Sequence, residues 1–200
     1  MANSKRFKIL VDRVNFLNSN ILPPIKIGGD YTPVEYDYTR SYILLVHAEI
    51  ESFLEEKVSE KVNISLSNWK TNRKKSTCLK SILAFCSNDI NYEKKKIHER
   101  NSLEFRVNII TNHFLSLIKK NHGIKKDNIL DLLLPIGIEI DELDETWLTT
   151  MDNFGAKRGE IAHHTTTVQK PIDPLTEKKL INDIILPELS VIDRLLINLK

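Results

Sequence analysis

Between Glu35 and Val62 the residues Tyr42, Leu45, Val46, Glu49, Phe53, Leu54, Val58 and Val62 recur every three or four positions. Side chains at that interval share one face of a helix, so the spacing predicts a long central helix. Everything else in the chain has to pack around it.

The remaining segments carry the same period. Phe7, Leu10, Val11, Val14, Leu17 and Ile21 predict a first helix over Phe7 to Leu22, stopped by Pro23-Pro24. Residues 25–35, with Gly28, Gly29 and Pro33, read as a loop. Residues 63–76 are polar and basic and read as a connecting loop or short helix. Helices are then expected around Leu79 to Cys86, Val107 to Ile118, Asp127 to Leu134 (capped by Asp127 and ended by Pro135 and Gly137), and Asp141 to about Thr166. A last helix spans Leu175 to Leu199, with a kink expected at Pro187. No alternating apolar pattern persists beside hairpin turns and no repeat is visible, so the fold class is all-α, in one domain over residues 1–200.

Composition narrows the function classes. With 41% hydrophobic and 28% charged residues the chain has enough apolar material for a core. The net charge of +2 means that nucleic-acid binding has to rest on local basic clusters. Every apolar run is interrupted before it is long enough to cross a bilayer, and Lys5, Arg6 and Lys8 are not followed by a secretory core, so the cytoplasm is the expected compartment and no membrane partner is expected. Cys78 and Cys86, set among Leu79, Ile82, Leu83 and Phe85, read as buried thiols.

Chemistry concentrates in Arg158-Gly159-Glu160-Ile161-Ala162-His163, followed by His164 and Thr165 to Thr167. A permanent cation near a group that exchanges protons around neutrality suits phosphate chemistry. On an ideal helix Trp147, Met151, Phe154, Ile161 and Ala162 fall within roughly 60° of Arg158, which places the arginine in the apolar stripe. A guanidinium there needs a carboxylate, a lined groove or a subunit interface that supplies partners, and Glu49, Glu51, Asp152 and Glu160 are the candidate resting partners. Five residues also turn a helix by about 140°, so His163 does not share that face. Gly155 and Gly159 loosening the helix, the long arginine reaching around, or a second subunit presenting its own pair would each overcome this, and the third carries most weight.

That hexapeptide and its approach, Leu148 to Lys157, resemble the signature of the HEPN superfamily, small helical domains many of which are RNases. The segment Tyr42 to Leu54 looks like the first core helix of small prokaryotic HEPN-like nucleases of the RiboL-PSP-HEPN type. Leu133-Leu134-Pro135-Ile136-Gly137-Ile138 resembles the turn before their motif helix. Gly159 departs from the pattern, since a polar residue such as asparagine often follows the arginine. The resemblance implies a HEPN-like helical bundle with a long central helix and short extra helices, assembled as a homodimer whose two motifs face one cleft.

It further implies a metal-independent endoribonuclease, with a toxin or antiphage effector as one biological setting and an antitoxin or regulatory protein as a further partner. The RNA 2′-hydroxyl would attack the adjacent phosphorus, with His163 as general base or acid and Arg158 stabilising the phosphoryl charge. Lys157, His164 and Thr165 would contact substrate, Glu49 and Glu160 would support, and no cofactor would be needed. The competing expectation is a catalytically silent helical dimer that binds RNA, a nucleotide or a protein.

Outside the motif the signals are weaker. Arg73-Lys74-Lys75 beside Trp69 and Lys94-Lys95-Lys96 beside Tyr92 fit an RNA backbone with a ring for stacking, although such runs are commonly solvated surface. Glu49 and Glu51 diverge by about 200° on a helix and do not chelate one ion. His98, His113 and His122 lack metal-like spacing, so neither a zinc enzyme nor a two-metal nuclease is expected.

Overall fold

The computed structural model describes residues 2–87, 102–163 and 171–200, and among them there is no strand. The all-α expectation holds. Helix α1 (Lys5–Asn20) buries Phe7, Leu10, Val14 and Leu17. Its start is fixed by Ser4, whose Oγ accepts the Phe7 amide at 3.1 Å and donates to Asp193 Oδ1 at 2.7 Å. The Ser4 amide donates to Asp193 Oδ2 at 2.6 Å, so a fully buried carboxylate satisfies the helix entry.

Helix α2 (Pro33–Asn72) is the long element. A capping box opens it: Thr32 Oγ1 accepts the Glu35 amide at 3.3 Å and the Glu35 carboxylate accepts the Thr32 amide at 2.7 Å. The expected stripe is buried apart from Leu45, which is exposed, and Glu49, which is half-buried; Ile43, His47 and Ile50 fill the inward positions. The helix does not yield to a loop near Val62. Leu66 and Trp69 extend the stripe at helical spacing and are buried, so residues 63–72 stay helical despite their polar neighbours. Trp69 packs with Leu66, Leu79 and Val107, so its ring is core and not a platform for a base.

Helices α3 (Thr77–Cys86) and α4 (Leu103–Ile118) follow, capped by Ser76 and Ser102. Cys78 and Cys86 are buried, and neither forms a disulfide. Helix α5 (Lys126–Leu133) begins one residue before Asp127, which therefore sits in the first turn instead of capping it. A 3-10 turn (Leu134–Ile136) ends at Gly137, whose φ of 92° is the left-handed conformation that glycine supplies there. Ile140–Glu142 forms a separate 3-10 turn, so α6 (Glu145–His163) starts after Asp144 and not at Asp141. Asp144 Oδ1 accepts the Trp147 amide at 2.6 Å.

The last segment is α7 (Pro174–Lys179), a π segment (Leu180–Ile185) and α8 (Leu186–Asn198). The distortion expected at Pro187 falls one turn earlier. Proline offers no amide to the preceding turn and crowds its carbonyl, and the wider π turn accommodates both.

Two compact units result. The first comprises Met1–Phe53, Gly123–Asp127 and Leu143–Arg194. Its helices are tied by Phe7 against Phe53 with centroids 5.8 Å apart, by Arg13 to Glu49 at 3.1 Å, and by the Tyr42 hydroxyl donating to Asn18 at 2.7 Å. The second comprises Leu54–His122, Asn128–Glu142 and Leu195–Lys200, with a core that includes Val62, Ile82, Phe114 and Leu133. No described helix is long and apolar enough to cross a membrane.

Candidate functional site

Helix α6 changes character along its length. Trp147, Leu148, Met151, Phe154 and Gly155 are buried, whereas no residue from Ala156 to His163 is. Gly155 marks the last close approach, since a Cβ there would lie 2.7 Å from Lys125 Cγ, while a Cβ at Gly159 would meet nothing within 4 Å. The motif thus occupies two turns that the apolar stripe no longer holds down.

Arg158 and His163 are both exposed. The placement of Arg158 within a buried stripe is corrected: it lies one turn past Phe154 on the same face, but burial has ended and its guanidinium keeps its water. The expected resting partners are engaged elsewhere. Glu49 pairs with Arg13 at 3.1 Å, Glu51 accepts the Gly123 amide, and Asp152 accepts the Lys126 amide at 2.9 Å. Glu160 is exposed on the same helix. Among the described residues no carboxylate is paired with Arg158.

Helix α6 stays an unbroken α-helix through Gly155 and Gly159 to His163. Glycine loosening is therefore excluded as the way to align the pair, and the turn of about 140° between them stands. Reach of the arginine or a second copy remains.

Lys157 is one-third exposed, and its ammonium bonds Glu177 of α7, a carboxylate 3% exposed. In this state it is a clasp between α6 and α7, with its charge already matched. His164 and Thr165 lie outside the described residues, as do Thr166 and Thr167 and the Lys94-Lys95-Lys96 cluster with Tyr92. Of the other basic cluster, Arg73 is exposed, stands over Trp69 at 5.3 Å and pairs with Glu104 at 3.0 Å. Among the described residues no group of three His, Cys, Asp or Glu side chains is arranged as metal ligands.

His47 escaped the reading of the sequence. It is 2% exposed, stacked on Phe154 with centroids 6.2 Å apart and planes inclined by 28°, and its Nδ1 stands 3.7 Å from Glu51 Oε2. Burial, and then the positive charge of Arg158, push its pKa down to about 4, so the ring is uncharged at neutral pH. A signal existed: His47 falls between Ile43 and Ile50 on the inward stripe of α2, where an imidazole displaces an aliphatic side chain.

No curated protein and no solved structure matches the chain. The model of the RiboL-PSP-HEPN family matches residues 2–197, which takes in both compact units, the long helix and the motif helix. With the helical architecture and the arginine–histidine motif now in place beside that match, the chain belongs to the RiboL-PSP-HEPN family.

Proposed function

We propose that the protein is a cytoplasmic, metal-independent endoribonuclease that cleaves single-stranded or loop RNA as a homodimer. Domains of this family are generally RNases or RNA-binding modules. The observation that carries the reading is the exposure of Arg158 and His163 on the unburied end of α6, where each is open to solvent and to an incoming phosphodiester. The RNA 2′-hydroxyl attacks the neighbouring phosphorus while His163 accepts or returns the proton. Arg158 balances charge on the phosphoryl oxygens. The 5′-oxygen leaves, and the products carry a cyclic phosphate and a free 5′-hydroxyl. Since the two side chains diverge by about 140° on one helix, a second copy supplying the opposing pair completes the site most simply. His164 and Thr165 stay as proposed substrate contacts, with Glu160 in support.

The test is incubation of purified protein with RNA in chelator. Cleavage to cyclic-phosphate ends, absent with DNA and lost in a folded His163→Ala variant, is expected; cleavage only after metal is added would reject the mechanism. A toxin or antiphage role further predicts slowed growth on expression, relieved by His163→Ala or by an antitoxin. Gly159, where the family often carries a polar side chain, favours one alternative, a silent dimer that binds RNA, nucleotide or protein. Tight RNA binding without cleavage would identify it.

A further inference from the structure

Three neighbours surround the buried imidazole of His47. Phe154 covers its ring. Glu51, one turn along α2, sets Oε2 at 3.7 Å from Nδ1, and its Oε1 accepts the Gly123 amide. Arg158, one turn past Phe154 on α6, lies close enough for its charge to be felt at the ring. A guanidinium and a carboxylate that border the same small group ordinarily find each other, because the arginine fork matches a carboxylate in two parallel hydrogen bonds. Here they are apart: Glu51 is turned to Gly123 and His47. An Arg158 paired with Glu51 would have to break that pair before it could take a phosphate.

We propose that His47 is a positioning residue for Arg158: a buried ring, stacked on Phe154, that stands beside Glu51 where the carboxylate turns to Gly123, keeps it from capturing the guanidinium, and leaves Arg158 ready for a phosphodiester oxygen. Three properties suit histidine to the place. Its flat ring stacks under Phe154. Its Nδ1 edge faces the carboxylate at 3.7 Å. It does so without the second positive charge that lysine or arginine would set beside Arg158. The inference rests on the reading of Arg158 as a phosphate-binding residue, not on cleavage itself.

Two measurements separate these. A 2′-deoxy oligonucleotide presents phosphates but has no internal nucleophile, so its Kd reports capture alone, while the matching RNA gives kcat and KM. His47→Phe keeps the stack and removes both nitrogens. Kd for the deoxy oligonucleotide and KM for RNA should rise about tenfold with kcat within about twofold, as expected when a close charge contact is lost from ground and transition state alike. Adding Glu51→Gln, whose amide still accepts the Gly123 hydrogen bond but has no charge to capture Arg158, should return both values to within about twofold of wild type. In an Arg158→Ala background His47→Phe should change Kd no further.

Loss of a merely packed ring would not be relieved by Glu51→Gln. If thermal melting shows that the phenylalanine variant is unfolded, His47→Leu, which continues the aliphatic stripe, carries the same expectation. An unchanged Kd in a folded variant, no relief by Glu51→Gln, or oligonucleotide binding that does not depend on Arg158 would each overturn the proposal. Arg158-dependent binding with the expected His47 effects but without RNA cleavage would sink the nuclease reading and leave the positioning role standing.

Discussion

His47 and Phe154 stack with ring centroids 6.2 Å apart and planes inclined by 28°, joining the long helix to the motif helix one turn below Arg158. Stacking there buries the imidazole and favours its neutral form, and this gives the fold a pH dependence with a definite sign.

In the unfolded chain a histidine takes up its proton at about pH 6.5, whereas folded His47 does so only at about 4. Between the two the unfolded state binds more protons, so stability falls as pH is lowered through that window and is insensitive to this group above it. The loss amounts to about 3 kcal/mol at most. Urea denaturation of wild type and His47→Gln at about pH 7 and about pH 4.5 should show the wild type losing more stability than the variant. Equal losses would contradict the burial of an uncharged ring.

Neighbouring cations on α6 should behave oppositely. Arg158 is exposed, so Arg158→Ala should change stability by no more than about 0.5 kcal/mol while weakening RNA binding. Lys157→Met strands the buried Glu177 carboxylate, one of whose oxygens already lacks a partner, and should cost about 3 kcal/mol. Glu177→Gln should cost less, because the one-third-exposed lysine can turn to water. Denaturant midpoints of the three variants check the order, and an Arg158→Ala variant as unstable as Lys157→Met would show the arginine to be structural.

The two glycines of α6 make a matched pair. Gly159→Ala meets nothing within 4 Å and should stabilise by about 0.5–1 kcal/mol through helix propensity alone. Gly155→Ala drives a methyl to 2.7 Å from Lys125 Cγ, and displacing that exposed side chain from its rotamer should cancel the gain, to a net of about zero. Thermal melting should therefore rank Gly159→Ala above Gly155→Ala; the reverse order would mean that α6 does not approach Lys125 as described.

Periodicity was sufficient for the helical class and for most elements, since an apolar stripe at helical spacing has no other way to be buried. It fell short where a polar composition masked two well-spaced anchors, Leu66 and Trp69, and α2 ran on to Asn72. The motif residues and their divergence of about 140° were likewise legible, because both follow from the order of residues on one helix.

What order along the chain could not decide is where burial stops and which charges meet. The stripe of α6 continues past Phe154 in sequence, yet no residue of α6 beyond Gly155 is buried, so Arg158 is solvated where spacing alone had placed it inside. Arg13 takes Glu49 from α1, the Gly123 amide takes Glu51, and Glu177 takes Lys157 from α7. Each pairing joins groups far apart in the chain. Charge matching depends on distance in space, which only the packed helices set.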